Sequence, residues 1–165
     1  MNLQEVLDRS IERAGPYLRE SFQMPDHSLS APQLVRHLQG QTWTIALATV
    51  TAKGEPRVAP IGAIFHDGRF HTPILRSAAR VRNVERDPAV SATLFDGNDF
   101  AVIIHGSARV LGPDDDGFEA LAEWQRGLSD GRCVLDWGPR DQAAFITIDP
   151  DAMYTFARHP ERFEP

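Results

Sequence analysis

One cysteine, Cys133, stands in 165 residues, so the chain forms no internal disulfide and has no cysteine cluster for zinc. Cys133 also lacks a recognisable partner base and reads as a free buried thiol rather than a nucleophile. No apolar run approaches the roughly 20 residues that cross a bilayer as a helix. The first ten residues, M-N-L-Q-E-V-L-D-R-S, carry charge in every turn, unlike a secretory signal. A cytoplasmic protein with no membrane partner is expected. Excess positive charge is missing too: 17 Lys and Arg face 23 Asp and Glu, a net charge of −6. That argues against the extended basic face which nucleic-acid binding requires. Nor is there a G-x-G-x-x-G after a strand, a G-x-x-x-x-G-K-[ST], a G-x-S-x-G or an H-E-x-x-H. What remains, 42% hydrophobic and 24% charged, has the composition of one globular domain spanning residues 1–165.

Against that acidic background one stretch is basic. From Arg76 to Arg86 four arginines (Arg76, Arg80, Arg82, Arg86) meet a single glutamate. Ser77 reads as the cap of a helix, its side-chain oxygen accepting from a first-turn N–H. Asp87-Pro88 ends that helix, because proline disfavours helical geometry in the residue before it. A helix N-terminus beside a serine and arginines suits a phosphate.

The rest of the chain reads as short strands with inserted helices. Leu3 to Ala14 places apolar residues on one helical face, ended or kinked by Gly15-Pro16. Phe22 to Leu29 reads as a polar loop, and Ser30-Ala-Pro-Gln33 as a capping box opening a helix to about Leu38. These N-terminal helices (residues 1–40) are expected to pack on a barrel core at 42–111. Strands are predicted at Thr42 to Thr51, Arg57 to Phe65, Arg69 to Ile74, Ala89 to Phe95 and Phe100 to Leu111. Pro60 cannot donate to a ladder, so it marks an edge, a bulge or an open seam. Gly106 marks a bulge or a close backbone approach. Asp114, Asp115 and Asp116 are expected to open a helix over 114–129, suiting its dipole. Three consecutive aspartates do not converge on one metal ion. Phe145 to Ile148 and Met153 to Phe156 read as two last short strands within 145–165. His66, His71 and His105 could meet around a metal or an iron porphyrin; lone strand histidines are more often packed or solvated, and no metal is assigned. The fold class expected is mainly β with inserted helices (α+β), an antiparallel barrel.

The order R-V-A-P-I-G (Arg57 to Gly62), D-G-R-F-H-T (Asp67 to Thr72), S-A-A-R-V-R-N-V-E-R-D-P (Ser77 to Pro88), V-S-A-T-L-F and H-G-S-A-R-V resembles the pyridoxamine-phosphate-oxidase-like split β-barrels. These include flavin and deazaflavin oxidoreductases. The likeness covers about Trp43 to Leu111 well and the C-terminal strands weakly. It implies a split barrel, FMN as cofactor, and a homodimer with cofactor at the interface. Arg57, Val58, Ala59 and Pro60 match the strand that lines the flavin ring and ribityl chain. His71 and Thr72 match a strand end facing the ribityl-phosphate, and Ser77, Arg80 and Arg82 match the phosphate grip. Phe156 matches an aromatic that reaches the partner's flavin, and Arg162 the first arginine of a substrate clamp.

Departures from the pattern are as informative. Gly62 stands where oxidases acting on the vitamin carry lysine, Ala101 where a flavin-contacting glutamine falls, and Glu164 where the clamp has histidine. The resemblance therefore implies an FMN-dependent oxidoreductase with another small substrate, favouring one with a single acidic handle. No catalytic side chain is named, since the flavin carries the hydride or electron chemistry. A deazaflavin-dependent reductase, for which Arg76 and Arg86 would serve a longer anionic tail, is the alternative. A non-enzymatic flavin-binding or haem-binding barrel using His71 or His105 is the other.

Overall fold

The structure is a computed structural model and describes residues 2–165. Three helices come first: α1 (Leu3–Arg13), α2 (Pro16–Ser21) and α3 (Ala31–Leu38). Then follow β1 (Thr42–Val50), β2 (Pro56–His66), β3 (Arg69–Leu75), α4 (Ala79–Arg86), β4 (Ala89–Asp96), β5 (Phe100–Leu111), α5 (Phe118–Arg126) and β6 (Ala143–Ala157). The six strands close into an antiparallel barrel in the order β1-β2-β3-β6-β5-β4. The predicted fold class is the one observed.

Closure is uneven, and that unevenness leaves an open strand edge. β2 pairs β1 from Pro56 to Ile64, but it meets β3 only at Ile64, Phe65 and His66. From Pro56 to Ala63 the outer edge of β2 is open, so Pro60 does sit beside a seam. β1 and β4 pair only through Ala46, Leu47 and Ala48 against Ser91, Ala92 and Thr93. On its other edge β3 pairs with β6 from Phe70 to Leu75, and only Phe70 and His71 also have a β2 partner within that stretch.

One sequence reading is extended and three are corrected. Pro16 not only ends α1: as the first residue of α2 its fixed φ is already helical, and the N–H it lacks needs no partner there. Ser77 does not cap α4; Ala78 holds that position and no side chain caps the helix. The aspartates at 114–116 precede α5 rather than open it. Gly117, with φ +89°, makes the turn into that helix, and Asp115 instead accepts from the Gly112 N–H at 2.6 Å. Phe145 to Ile148 and Met153 to Phe156 are parts of one strand, β6, rather than two.

The break expected at Asp149-Pro150-Asp151 is a β-bulge. His105 faces Ala152 and Gly106 faces Pro150, leaving Asp151 as the extra residue. The bulge accommodates a proline that has no N–H to give to the ladder. Gly106 is required there. A Cβ on it would press against the Asp149 carbonyl and lie 3.0 Å from the Asp151 nitrogen. Both neighbours are backbone and cannot swing aside. Gly106→Ala is expected to cost about 1–3 kcal/mol of stability, read from the urea midpoint. An unchanged midpoint would show that the bulge tolerates a side chain.

The barrel interior forms one apolar core with α1 and α3, through Leu3, Leu7, Leu34 and Leu38. A smaller cluster joins α5 to the barrel wall through Phe118, Phe145 and Cys133. Beyond Ile148, β6 has no β3 partner, and the N-terminal segment covers that stretch. Ser10 accepts from the Met153 N–H at 2.9 Å, and Thr155 from the Leu29 N–H at 2.8 Å. The N-terminal segment and β6 thus satisfy each other's polar groups along that stretch.

Candidate functional site

A groove of about 300 Å³ lies where the end of β1, the start of β2 and α4 converge. Leu47, Thr49 and Thr51 come from β1 and the turn after it, Arg57, Val58 and Ala59 from the open part of β2. Ala79, Arg80 and Asn83 come from α4. Val58 is also shared with a shallow apolar depression over Ala46, Ala48, Ala92 and Ile103, so groove and depression run on across the outer sheet face. Val58 is 68% exposed, unusual for a β-branched apolar residue in a strand.

The arginines of α4 are not equivalent. Arg86 donates to the Val50 carbonyl at 2.6 Å and so ties the end of the helix to β1. Arg82 donates to the Ser77 carbonyl at 2.9 Å. Arg76 lies 3.4 Å from Glu85. Arg80 alone of the four has no hydrogen-bond or ion-pair partner among the described residues, and it lines the groove. Asn83 fixes this arrangement from below, donating to Thr49 Oγ1 at 3.0 Å. The groove therefore offers one free guanidinium next to a helix N-terminus, whose first N–H groups have no carbonyl of their own helix to bond. That donor set fits a single phosphate monoester.

Of the residues singled out from the sequence, Arg57, Val58, Ala59 and Arg80 come together here. Arg57 is tied to Glu55 at 2.7 Å. Pro60 is exposed on the same strand, just past the groove. Ser77 and Arg82 are exposed on its flank and do not line it. Thr72 is fully buried and its hydroxyl has no partner. His71 is buried in the barrel wall, between Thr147 Oγ1 at 3.0 Å and the His66 carbonyl at 3.1 Å. A carbonyl only accepts, so Nε2 carries the proton and Nδ1 accepts from Thr147. Burial holds this imidazole down at about 4, against the opposing pull of its bond to His66. Phe156 stacks on His27 at 5.8 Å and tilts against Phe22 at 5.6 Å. Arg162 stands in a different cleft, with Phe163 and His37. No group of three or more His, Cys, Asp or Glu among the described residues could hold a metal ion.

Thr49, Thr51 and Asn83 were not singled out from the sequence as site residues. A signal for Thr49 was present: on β1 it takes the buried phase of the alternation that Ile45 and Leu47 also follow. A hydroxyl in that phase needs an internal partner, and Asn83 supplies it.

No helix among the described residues is long and apolar enough to cross a membrane. A search of curated protein sequences found no match to this chain. Among solved structures it resembles HutZ, the haem storage protein from Vibrio cholerae: TM-score 0.62, 17% identity, 77% of this chain and 93% of that one. It resembles an F420 reductase with TM-score 0.56, 20% identity, and 72% and 94% of the two chains covered. A pyridoxamine 5'-phosphate oxidase-related, FMN-binding protein from Nostoc punctiforme aligns with TM-score 0.54, 14% identity, and 69% and 74% coverage. At these identities the likeness is one of fold. The sequence profile of the pyridoxamine 5'-phosphate oxidase family matches residues 32–156, from α3 to the penultimate residue of β6. The chain belongs to that family.

Proposed function

We propose that this protein is an FMN-dependent oxidoreductase acting on a small substrate. The single observation that carries the reading is Arg80, an unpaired guanidinium at the N-terminus of α4, facing a groove floored by open strand. Arg80 and the first turn of α4 would take the phosphate. The apolar surface around Val58 and Ala59 suits a ring system. Bound there, FMN supplies hydride or electron transfer, and the chain's own residues supply binding, orientation and exclusion of water. The arrangement favours a short monophosphate over the longer anionic tail of a deazaflavin coenzyme. Such a tail would call on Arg76 and Arg86, which are engaged within the chain. Haem ligation by His71 is disfavoured, because both its ring nitrogens are occupied inside the barrel wall.

A homodimer is part of the same proposal. Exposed Val58 and Phe95 (64%) flank an apolar face over β1, β4 and β5, and a contiguous patch of that kind suits a second copy. Within one chain Phe156 lies outside the Arg80 groove, so a role at a flavin requires the neighbouring subunit.

The visible spectrum of the purified protein, before and after adding FMN and removing the excess, tests the cofactor. Flavin bands are expected. A Soret band, a deazaflavin band, or no flavin retained after loading would overturn the reading. Light scattering is expected to give twice the chain mass of 18.4 kDa. A monomer still holding FMN at high concentration would refute the dimer.

A further inference from the structure

A second cleft, of about 470 Å³, opens where α3, the β4–β5 turn and the C-terminal tail meet. It shares no residue with the Arg80 groove or with the apolar depression beside it. Its walls are held by bonds within the chain. Gln33 donates to the Phe163 carbonyl at 2.8 Å, and Arg36 pairs with Glu164 at 2.8 Å. Asp99 pairs with Arg158 at 2.8 Å, and His159 with Glu161 at 3.3 Å.

Those pairs leave three groups uncommitted among the described residues. Asp96 and Arg162 have no ion pair, and the His37 ring has no hydrogen bond, yet all three line the cleft. The apolar part of the lining is aromatic. His37 lies 4.6 Å from Phe100 and 4.8 Å from Phe163, and the two phenyl rings stack at 5.6 Å. Burial lowers the His37 pKa, with the Asp96 charge opposing, so at neutral pH the ring is a neutral member of this wall.

We propose that this cleft binds a small zwitterion, an α-amino acid with a planar side chain. Its carboxylate meets the Arg162 fork, its ammonium meets Asp96, and its side chain lies against His37 and Phe163. Charge decides the class. A simple anion placed at Arg162 would face Asp96 and Glu164, and a simple cation placed at Asp96 would face Arg162 and Arg36. Only a molecule carrying both signs satisfies the two free groups together. Guanidinium binds a carboxylate through two parallel bonds, and offset rings favour a planar partner. The volume falls in the range of small-molecule sites, which runs from roughly 300 to 1,000 Å³.

The test uses the whole ¹⁵N-labelled protein and three probes: L-phenylalanine, 3-phenylpropanoate and phenethylamine. L-Phenylalanine is expected to give saturable shifts at the His37, Asp96 and Phe163 amides, at least about tenfold tighter than either half-charged probe. Arg162→Ala is expected to weaken L-phenylalanine about tenfold without weakening phenethylamine, whose like-charge neighbour is removed. Asp96→Asn is expected to weaken L-phenylalanine similarly without weakening 3-phenylpropanoate, whose like-charge neighbour is removed. The two variants lie on different elements, so each checks the other. No saturable shift from L-phenylalanine, equal affinity for all three probes, or shifts confined to the Arg80 groove would overturn the proposal. FMN binding is read separately by absorbance, so failure of one reading leaves the other standing.

Discussion

Replacing Arg80 with alanine is expected to weaken FMN binding about 10- to 100-fold, because a charge-assisted bond worth about 1.5–3 kcal/mol is lost. Riboflavin, which has no phosphate, should bind the native protein more weakly than FMN and should be indifferent to the change. The specificity of the prediction comes from the neighbours of Arg80. Arg82 and Arg86 spend their guanidiniums on the Ser77 and Val50 carbonyls. Arg82→Ala therefore serves as a charge-matched control, with FMN affinity expected within about twofold of native, since an exposed charge is largely screened. Fluorescence titration of both variants with FMN and riboflavin decides the matter. If riboflavin binds the native protein as tightly as FMN, the groove does not hold a phosphate.

Acid should destabilise this protein earlier than its carboxylates alone would, and His71 is the reason. In the unfolded chain its imidazole titrates near 6.5; in the folded protein burial holds it at about 4. The unfolded state therefore binds a proton that the folded state refuses. The stabilisation from the neutral ring is complete above pH 6.5 and drains away as pH falls from there through about 4. At about 1.4 kcal/mol per pH interval the full loss is about 3 kcal/mol. His37, lowered by partial burial with Asp96 opposing, adds a smaller effect of the same sign. His71→Gln keeps one donor for the His66 carbonyl and one acceptor for Thr147, but it does not titrate. Urea unfolding at pH 7 and pH 4.5 should show native stability falling more steeply than that of the variant. Parallel losses in both proteins would mean that His71 contributes nothing to the acid limb.

The C-terminal tail illustrates how local reading misses a long-range contact. From the sequence Arg162 reads as the first arginine of a substrate clamp, with Glu164 in place of its histidine. In the fold Glu164 reaches back to Arg36, the Phe163 ring packs on His37 and Phe100, and Gln33 holds the Phe163 carbonyl. Each of these links spans more than 60 residues, and no local pattern encodes them. Removal of everything after Ala157 would therefore strip apolar packing from the barrel end as well as Arg162.

Sequence alone determined the first five strands in outline and the class of fold. These depend on periodicity and on proline and glycine placement, which act over a few residues. It also marked α4 as the basic stretch of the chain, since four arginines near one glutamate stand out against a net charge of −6. Tertiary structure alone decided which arginine is free. That depends on which carbonyls and carboxylates from β1, the Ser77 turn and α4 itself reach the other three. It decided that β6 is one strand with a bulge, because Pro150 is tolerated only where Gly106 lets the neighbouring backbone approach. It also turned His71 from a residue facing a ligand into a neutral element of the barrel wall, since burial is a property of the packed chain. Pairing partners distant in sequence are chosen by the packed barrel, and charge availability follows from that choice.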